Sequence, residues 1–269
     1  MITRDISRLF GAALVAASGL SASVLTGAIP FASADCPDVQ VVFARGTGED
    51  PGVGPTGQAF IDALRARTGG KSLDVYPVNY PASDKWDTGL AGITDAGYHV
   101  EAMAKDCPKT KMVLGGYSQG AAVMGFVTSA AIPEGIDPAT VPQPMQPDVA
   151  DHVSSVVLFG MPNVRAMNFL GQPPVVIGPL YRAKTLKVCV PEDPVCSDGM
   201  NFAAHDTYAS DGGFVDQGAA FAASHLDAPP PETGTRAPAP SVTTPPLLAS
   251  PPLLASPPLV ASPTGNFGS

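Results

Sequence analysis

The chain has 269 residues, of which 45% are hydrophobic, and a formal net charge of -9. That is enough for one or two domains with a sizeable core, and it excludes a basic surface for nucleic acid or anionic membrane. The 30 prolines are unevenly spread, and the unevenness marks where the globular part stops.

The N-terminus comes first. Arg4 and Arg8 open the chain, an apolar run follows from Leu9 to Phe31, and Ala32-Ser33-Ala34 forms an A-x-A cleavage pattern. Residues 1–34 therefore read as a secretory signal, with Asp35 the expected mature start. An uncleaved anchor is the rival, because the run could span a bilayer; Gly11, Gly19 and Gly27 count against it. Export predicts an extracellular or wall-associated protein. Cys36, Cys107, Cys189 and Cys196 all follow the cleavage site. An even number in an oxidising compartment predicts two disulfides, in any of three pairings. No C-x-x-C pair is present and the four histidines are scattered, so no metal site is expected.

From Asp35 to Ala228 strand-like and helix-like stretches alternate. Strands are predicted at 39–44, 73–78, 112–114, 153–159 and 185–190. Helices are predicted at 56–67, 93–105, 119–131 and 214–225. This order predicts one α/β domain, a mostly parallel sheet with helices on both faces, and a site at the carboxyl ends of the strands. From Pro229 onward the composition turns proline-rich, and the unit Pro-Pro-Leu-Leu-Ala-Ser at 245–250 recurs at 251–256 and nearly so at 257–262. Residues 229–269 should thus be an extended, disordered tail, open to a role as a wall- or surface-contacting stalk.

The chemistry centres on Gly116-Tyr117-Ser118-Gln119-Gly120, a G-x-S-x-G motif between a buried strand and a small-residue helix. That context describes a nucleophile elbow with Ser118 at a helix N-terminus. A serine needs a base, and histidine suits the task near neutral pH. In α/β-hydrolases the chain order is Ser, acid, His, which removes His99. His152 sits before a buried strand and His225 within the last helix, leaving His205 in a late loop. Asp193 lies between Cys189 and Cys196 and is the best acid, with Glu192, Asp198 and Asp206 as rivals. Were Cys189 and Cys196 paired, the small loop would hold Asp193 still for His205. The oxyanion donors would be the backbone N–H of Gln119 and that of Thr47, in the turn after the first strand.

These pieces resemble the cutinases, most closely the cutinase-like proteins of actinobacteria. The resemblance rests on Cys36, Ala44-Arg45-Gly46-Thr47, the Gly116–Gly120 motif, Cys189 to Cys196 enclosing Asp193, and His205. Fungal members often carry serine where this chain has Thr47. The resemblance implies a three-layer α/β-hydrolase with five parallel strands and bridges Cys36–Cys107 and Cys189–Cys196. It also implies a monomeric serine esterase for small or lipid esters, needing no cofactor or metal. An acyltransferase using the same triad and a silent wall-binding protein are the other readings.

Overall fold

A computed structural model of the protein describes residues 36–227. The expected signal (1–34) and proline-rich tail (229–269) lie outside these residues. Among them no helix is long and apolar enough to cross a membrane.

Five strands, β1 (Val39–Ala44), β2 (Leu73–Pro77), β3 (Lys111–Tyr117), β4 (Val153–Phe159) and β5 (Thr185–Val188), form one sheet. Their order is β2-β1-β3-β4-β5 and every neighbouring pair is parallel. A parallel sheet is covered on both faces, so its inner strands are apolar throughout rather than alternating. The two-residue period shows instead in which core each side chain joins. Val42, Ala44, Leu114, Val156 and Leu158 pack on one side, while Val41, Phe43, Val113, Val157 and Phe159 pack on the other.

Helices α1 (Gly54–Arg65), α2 (Gly89–Asp106), α3 (Gln119–Val127), α4 (Val164–Phe169), α5 (Pro179–Arg182) and α6 (Gly212–Leu226) complete the three layers. Phe60, Ile61 and Leu64 of α1 join Val215, Ala219 and Ala222 of α6 over one face. Ala96 and Val100 of α2 join Val123 and Met124 of α3 over the other.

Several boundaries differ from the sequence expectation. Strand β3 runs from Lys111 on through Gly115 and Gly116 to Tyr117, beyond the expected 112–114. Both glycines lie in the strand because close neighbours leave no room for a side chain: a Cβ at Gly115 would strike the Phe43 ring, and one at Gly116 would overlap the Gly120 backbone. Helix α3 ends at Val127, short of Ala131, where the Thr128 hydroxyl bonds back to the Met124 and Gly125 carbonyls. Helices α1 and α2 begin earlier than expected, α1 with proline in its first turn, where its missing N–H costs nothing. The short helices α4 and α5 were not foreseen.

Candidate active site

Between β1 and β3 the strand order reverses, and the site forms at the carboxyl ends of these two strands. Ala44 pairs with Gly116, so the turn after β1 lies beside the turn after β3. A Cβ at Gly120 would overlap the Ala44 carbonyl, so only glycine lets α3 start this close to β1. Ser118 occupies the tight turn itself, with φ 53° and ψ -119°. A positive φ at a non-glycine residue costs roughly 1–3 kcal/mol and persists only where the surroundings impose it. Here the Ser118 N–H is tied to the Phe159 carbonyl at 2.9 Å.

Ser118 Oγ lies 2.8 Å from His205 Nε2. His205 Nδ1 lies 2.8 Å from Asp193 Oδ2. His205 sits in a 3-10 turn, residues Phe202–Thr207, rather than in the irregular loop expected. Asp193 has no solvent exposure. Burial alone would raise its pKa, but hydrogen bonds from His205, the Tyr208 hydroxyl (2.7 Å) and the Val195 N–H (2.8 Å) more than offset that. The net shift is downward, so Asp193 remains a carboxylate. A carboxylate accepts, hence His205 Nδ1 carries the proton and Nε2 is free to accept from Ser118. The rivals Glu192, Asp198 and Asp206 are all exposed, and the described contacts give none of them a bond to His205.

Two tyrosines at the site carry functions that sequence reasoning missed. Tyr208 is fully buried, accepts from the Val190 N–H at 3.1 Å and donates to Asp193. Tyr117 stacks on the His205 ring with centroids 5.1 Å apart, and its hydroxyl donates to the His205 carbonyl at 2.7 Å. Burial raises the pKa of both, which keeps them donors. Tyr208 stands three residues beyond His205 and Tyr117 just before Ser118. Adjacency in sequence was the available signal.

Thr47 is exposed in the turn after β1. Within the described residues neither its N–H nor that of Gln119 donates a hydrogen bond. The turn is held by Arg45, only 4% exposed, whose guanidinium donates to the Glu49, Val78 and Tyr80 carbonyls. It also lies 5.1 Å above the Tyr80 ring. Glu49 accepts from the Gly46 N–H at 2.5 Å. The Gly48 N–H donates to Ala82, and Gln119 Nε2 donates to the next carbonyl, that of Ser83. One short segment therefore braces both the Thr47 turn and the start of α3.

Cys36 is bonded to Cys107 and Cys189 to Cys196. The second bridge closes the loop bearing Asp193, and Cys196 Sγ lies 3.2 Å from Asp193 Oδ2. Loop-closure entropy gives this bridge about 2.5 kcal/mol and the longer one about 4.4 kcal/mol. Serine at both Cys189 and Cys196 should lower kcat by roughly ten- to a hundredfold, through misplacement of Asp193, with a moderate fall in Tm. Serine at Cys36 and Cys107 should lower Tm more and kcat little. Steady-state kinetics and thermal melts of the two double variants check this. Unchanged kcat in the first would mean that Tyr208 and Val195 hold Asp193 without the bridge.

The family model described as Cutinase matches residues 35–226. "Probable carboxylesterase Culp5" of Mycobacterium tuberculosis is 60% identical over 167 residues, which span 62% of this chain and 95% of that protein. "Phospholipase Culp4" of the same species is 43% identical over 83% of this chain and 92% of that one. Among solved structures, an iodinated acetyl xylan esterase aligns with a TM-score of 0.58 at 26% identity, covering 71% of this chain and 99% of its own. The sheet, its flanking helices and these likenesses agree: the chain is a carboxylic ester hydrolase and belongs to the cutinase family.

Proposed function

We propose that the protein cleaves carboxylic esters through an acyl-enzyme on Ser118, with His205 as base and Asp193 as its orienting acid. The observation that carries this is the continuous chain of 2.8 Å contacts from Ser118 Oγ through His205 to a buried carboxylate. Ser118 Oγ attacks the ester carbonyl carbon while His205 Nε2 takes its proton. The carbonyl oxygen becomes an oxyanion, met by the N–H groups of Gln119 and Thr47. Collapse of this intermediate breaks the bond to the alcohol oxygen, and His205 returns the proton to the departing alcohol. Water then attacks the acyl carbon, giving its proton to His205, and the carboxylic acid leaves as Ser118 recovers its hydrogen.

Two disulfides and the A-x-A sequence support secretion, with the proline-rich tail as an extension outside the catalytic unit. The test of the whole reading is a fluorophosphonate probe followed by peptide mapping. A single adduct on Ser118, with a burst of alcohol preceding steady turnover, is expected. Labelling elsewhere, or full ester turnover in the labelled protein, would sink it. Repeating the assay with a competing alcohol measures how much acyl group goes to water.

A further inference from the structure

Gly46, Thr47, Gly48 and Glu49 form a tight turn directly after β1. The Glu49 N–H donates to the Gly46 carbonyl at 3.3 Å, and Gly48, third in the turn, has φ 76°. A positive φ at the third position is the type II pattern, which favours glycine there. Of the turn's four N–H groups three are spent: that of Glu49 closes the turn, that of Gly48 donates to the Ala82 carbonyl at 2.7 Å, and that of Gly46 donates to Glu49 Oε2 at 2.5 Å. The Thr47 N–H alone has no acceptor among the described residues.

The bond from Gly46 is the one that a side chain makes, and that side chain is built in. Glu49 is half-buried. Burial pushes its carboxyl above the usual carboxylate range, and the Gly46 N–H and the Arg45 charge pull it back only in part. Its backbone is held too, since Arg45 Nε donates to the Glu49 carbonyl at 2.8 Å. A Cβ at Gly54 would overlap the carboxylate, so glycine at the start of α1 leaves the room that Glu49 fills. A Cβ at Gly46 would strike the Tyr117 ring, the ring that stacks on His205.

We propose that Glu49 is a positioning residue for ester cleavage: its carboxylate, by fixing the Gly46 N–H, aims the Thr47 N–H at the carbonyl oxygen of the substrate. The inference rests on Thr47 being a donor to the oxyanion. Gly46 must be glycine to clear Tyr117, and glycine is the residue with the greatest backbone freedom. The peptide plane that bears the Gly46 N–H and the plane that bears the Thr47 N–H are joined only through the φ and ψ of Gly46. A donor hung on so free a joint is poorly aimed unless one of the planes is clamped, and an oxyanion is stabilised by donors already in place. Glu49 is that clamp. Its reach matters more than its charge, because a primary amide of the same length also offers an oxygen to the Gly46 N–H, whereas aspartate stops one methylene short.

Variants at Glu49 and Thr47 separate this role from a merely structural one. On p-nitrophenyl butyrate, Glu49→Ala should lower kcat by roughly thirtyfold, somewhat less than outright loss of an oxyanion donor, with KM within about twofold of wild type. Glu49→Gln should recover kcat to within about fivefold of wild type, and Glu49→Asp should fall as far as alanine although it keeps the charge. A trifluoromethyl ketone gives a second readout. Ser118 Oγ adds to its carbonyl carbon and His205 takes the hydroxyl proton, leaving a stable oxyanion, so its inhibition constant should rise in step with the loss of kcat across the series. Thr47→Pro removes the N–H at a position where a type II turn accepts proline, and on that background Glu49→Ala should cost less than about twofold more, since the clamp then has nothing to aim. Thermal melts accompany each variant, and if Glu49→Ala does not fold, the glutamine and aspartate variants decide between them. An active Glu49→Asp beside an inactive Glu49→Gln would show that the charge matters and not the reach, and would overturn the proposal. So would kcat within twofold of wild type in Glu49→Ala, or losses that multiply with Thr47→Pro. Wild-type kcat in Thr47→Pro would instead take Thr47 out of the oxyanion site, which is the reading on which the clamp rests.

Discussion

Ser118→Ala is expected to lower kcat on a small soluble ester by about a millionfold, close to the limit set by binding and oxyanion donors alone. The residue removed is the atom that would attack, and nothing nearby can replace it: the described contacts give His205 Nε2 no other hydroxyl partner. The fold should survive, because Ser118 makes its packing contacts through its backbone, with the N–H on Phe159 and the carbonyl taking the Ala122 N–H at 3.1 Å. A second inactive variant separates chemistry from strain. Alanine keeps a Cβ at φ 53°, so the backbone strain remains. Glycine adopts that φ freely, and Ser118→Gly should be more stable than Ser118→Ala by about 1 kcal/mol and melt higher. Burst kinetics and thermal melts of both variants check this. Activity within tenfold of wild type in folded Ser118→Ala would end the assignment.

Asp193→Asn should lower kcat by about ten-thousandfold with little change in KM. The reason is a proton in the wrong place. A carboxylate accepts from His205 Nδ1–H; an amide can present its N–H₂ there, which favours the tautomer with the proton on Nε2. That nitrogen then cannot take the Ser118 proton. The contacts at the other oxygen sharpen this, because the Val195 N–H occupies Oδ1 and favours keeping an acceptor there. Tyr208→Phe removes one of the bonds that hold Asp193 ionised, and should cost about tenfold in kcat. Combining Asp193→Asn with His205→Ala should be scarcely worse than the worse single change, as for groups that act as a unit. Additive losses, or a dead Asp198→Asn beside an active Asp193→Asn, would move the acid elsewhere.

The sheet was legible because its strands are buried on both faces, so that short β-branched apolar runs such as Val39–Ala44 and Val153–Phe159 stand out between turn signals. The chain order of serine, acid and histidine carried the candidate residues, and the three side chains meet in the fold. What escaped was whatever depends on partners far away in sequence. Gly115 and Gly116 look like breakers until Phe43 and Gly120 crowd them. Helices α4 and α5 are too short to show a helical period. Arg45 stands in the Ala44–Thr47 motif, yet only the fold shows its charge buried among three carbonyls. Residues 128–146 escaped as well, because they have no periodicity and contain neither helix nor strand.

The strand order separates the parts of the site in a further sense. Ser118 follows the central strand β3, whereas Asp193 and His205 follow the edge strand β5, whose pairing with β4 runs for only the four residues Thr185–Val188. An edge strand with one neighbour opens more readily than the centre of a sheet, at a fraction of the global unfolding energy. Mild denaturant should therefore peel β5 and the loop beyond it from an otherwise native body. Catalysis would vanish in that state while most of the slow-exchanging amides of β1 and β3 stayed protected, so enzymatic activity in this protein reports the attachment of its rim and not the integrity of its centre.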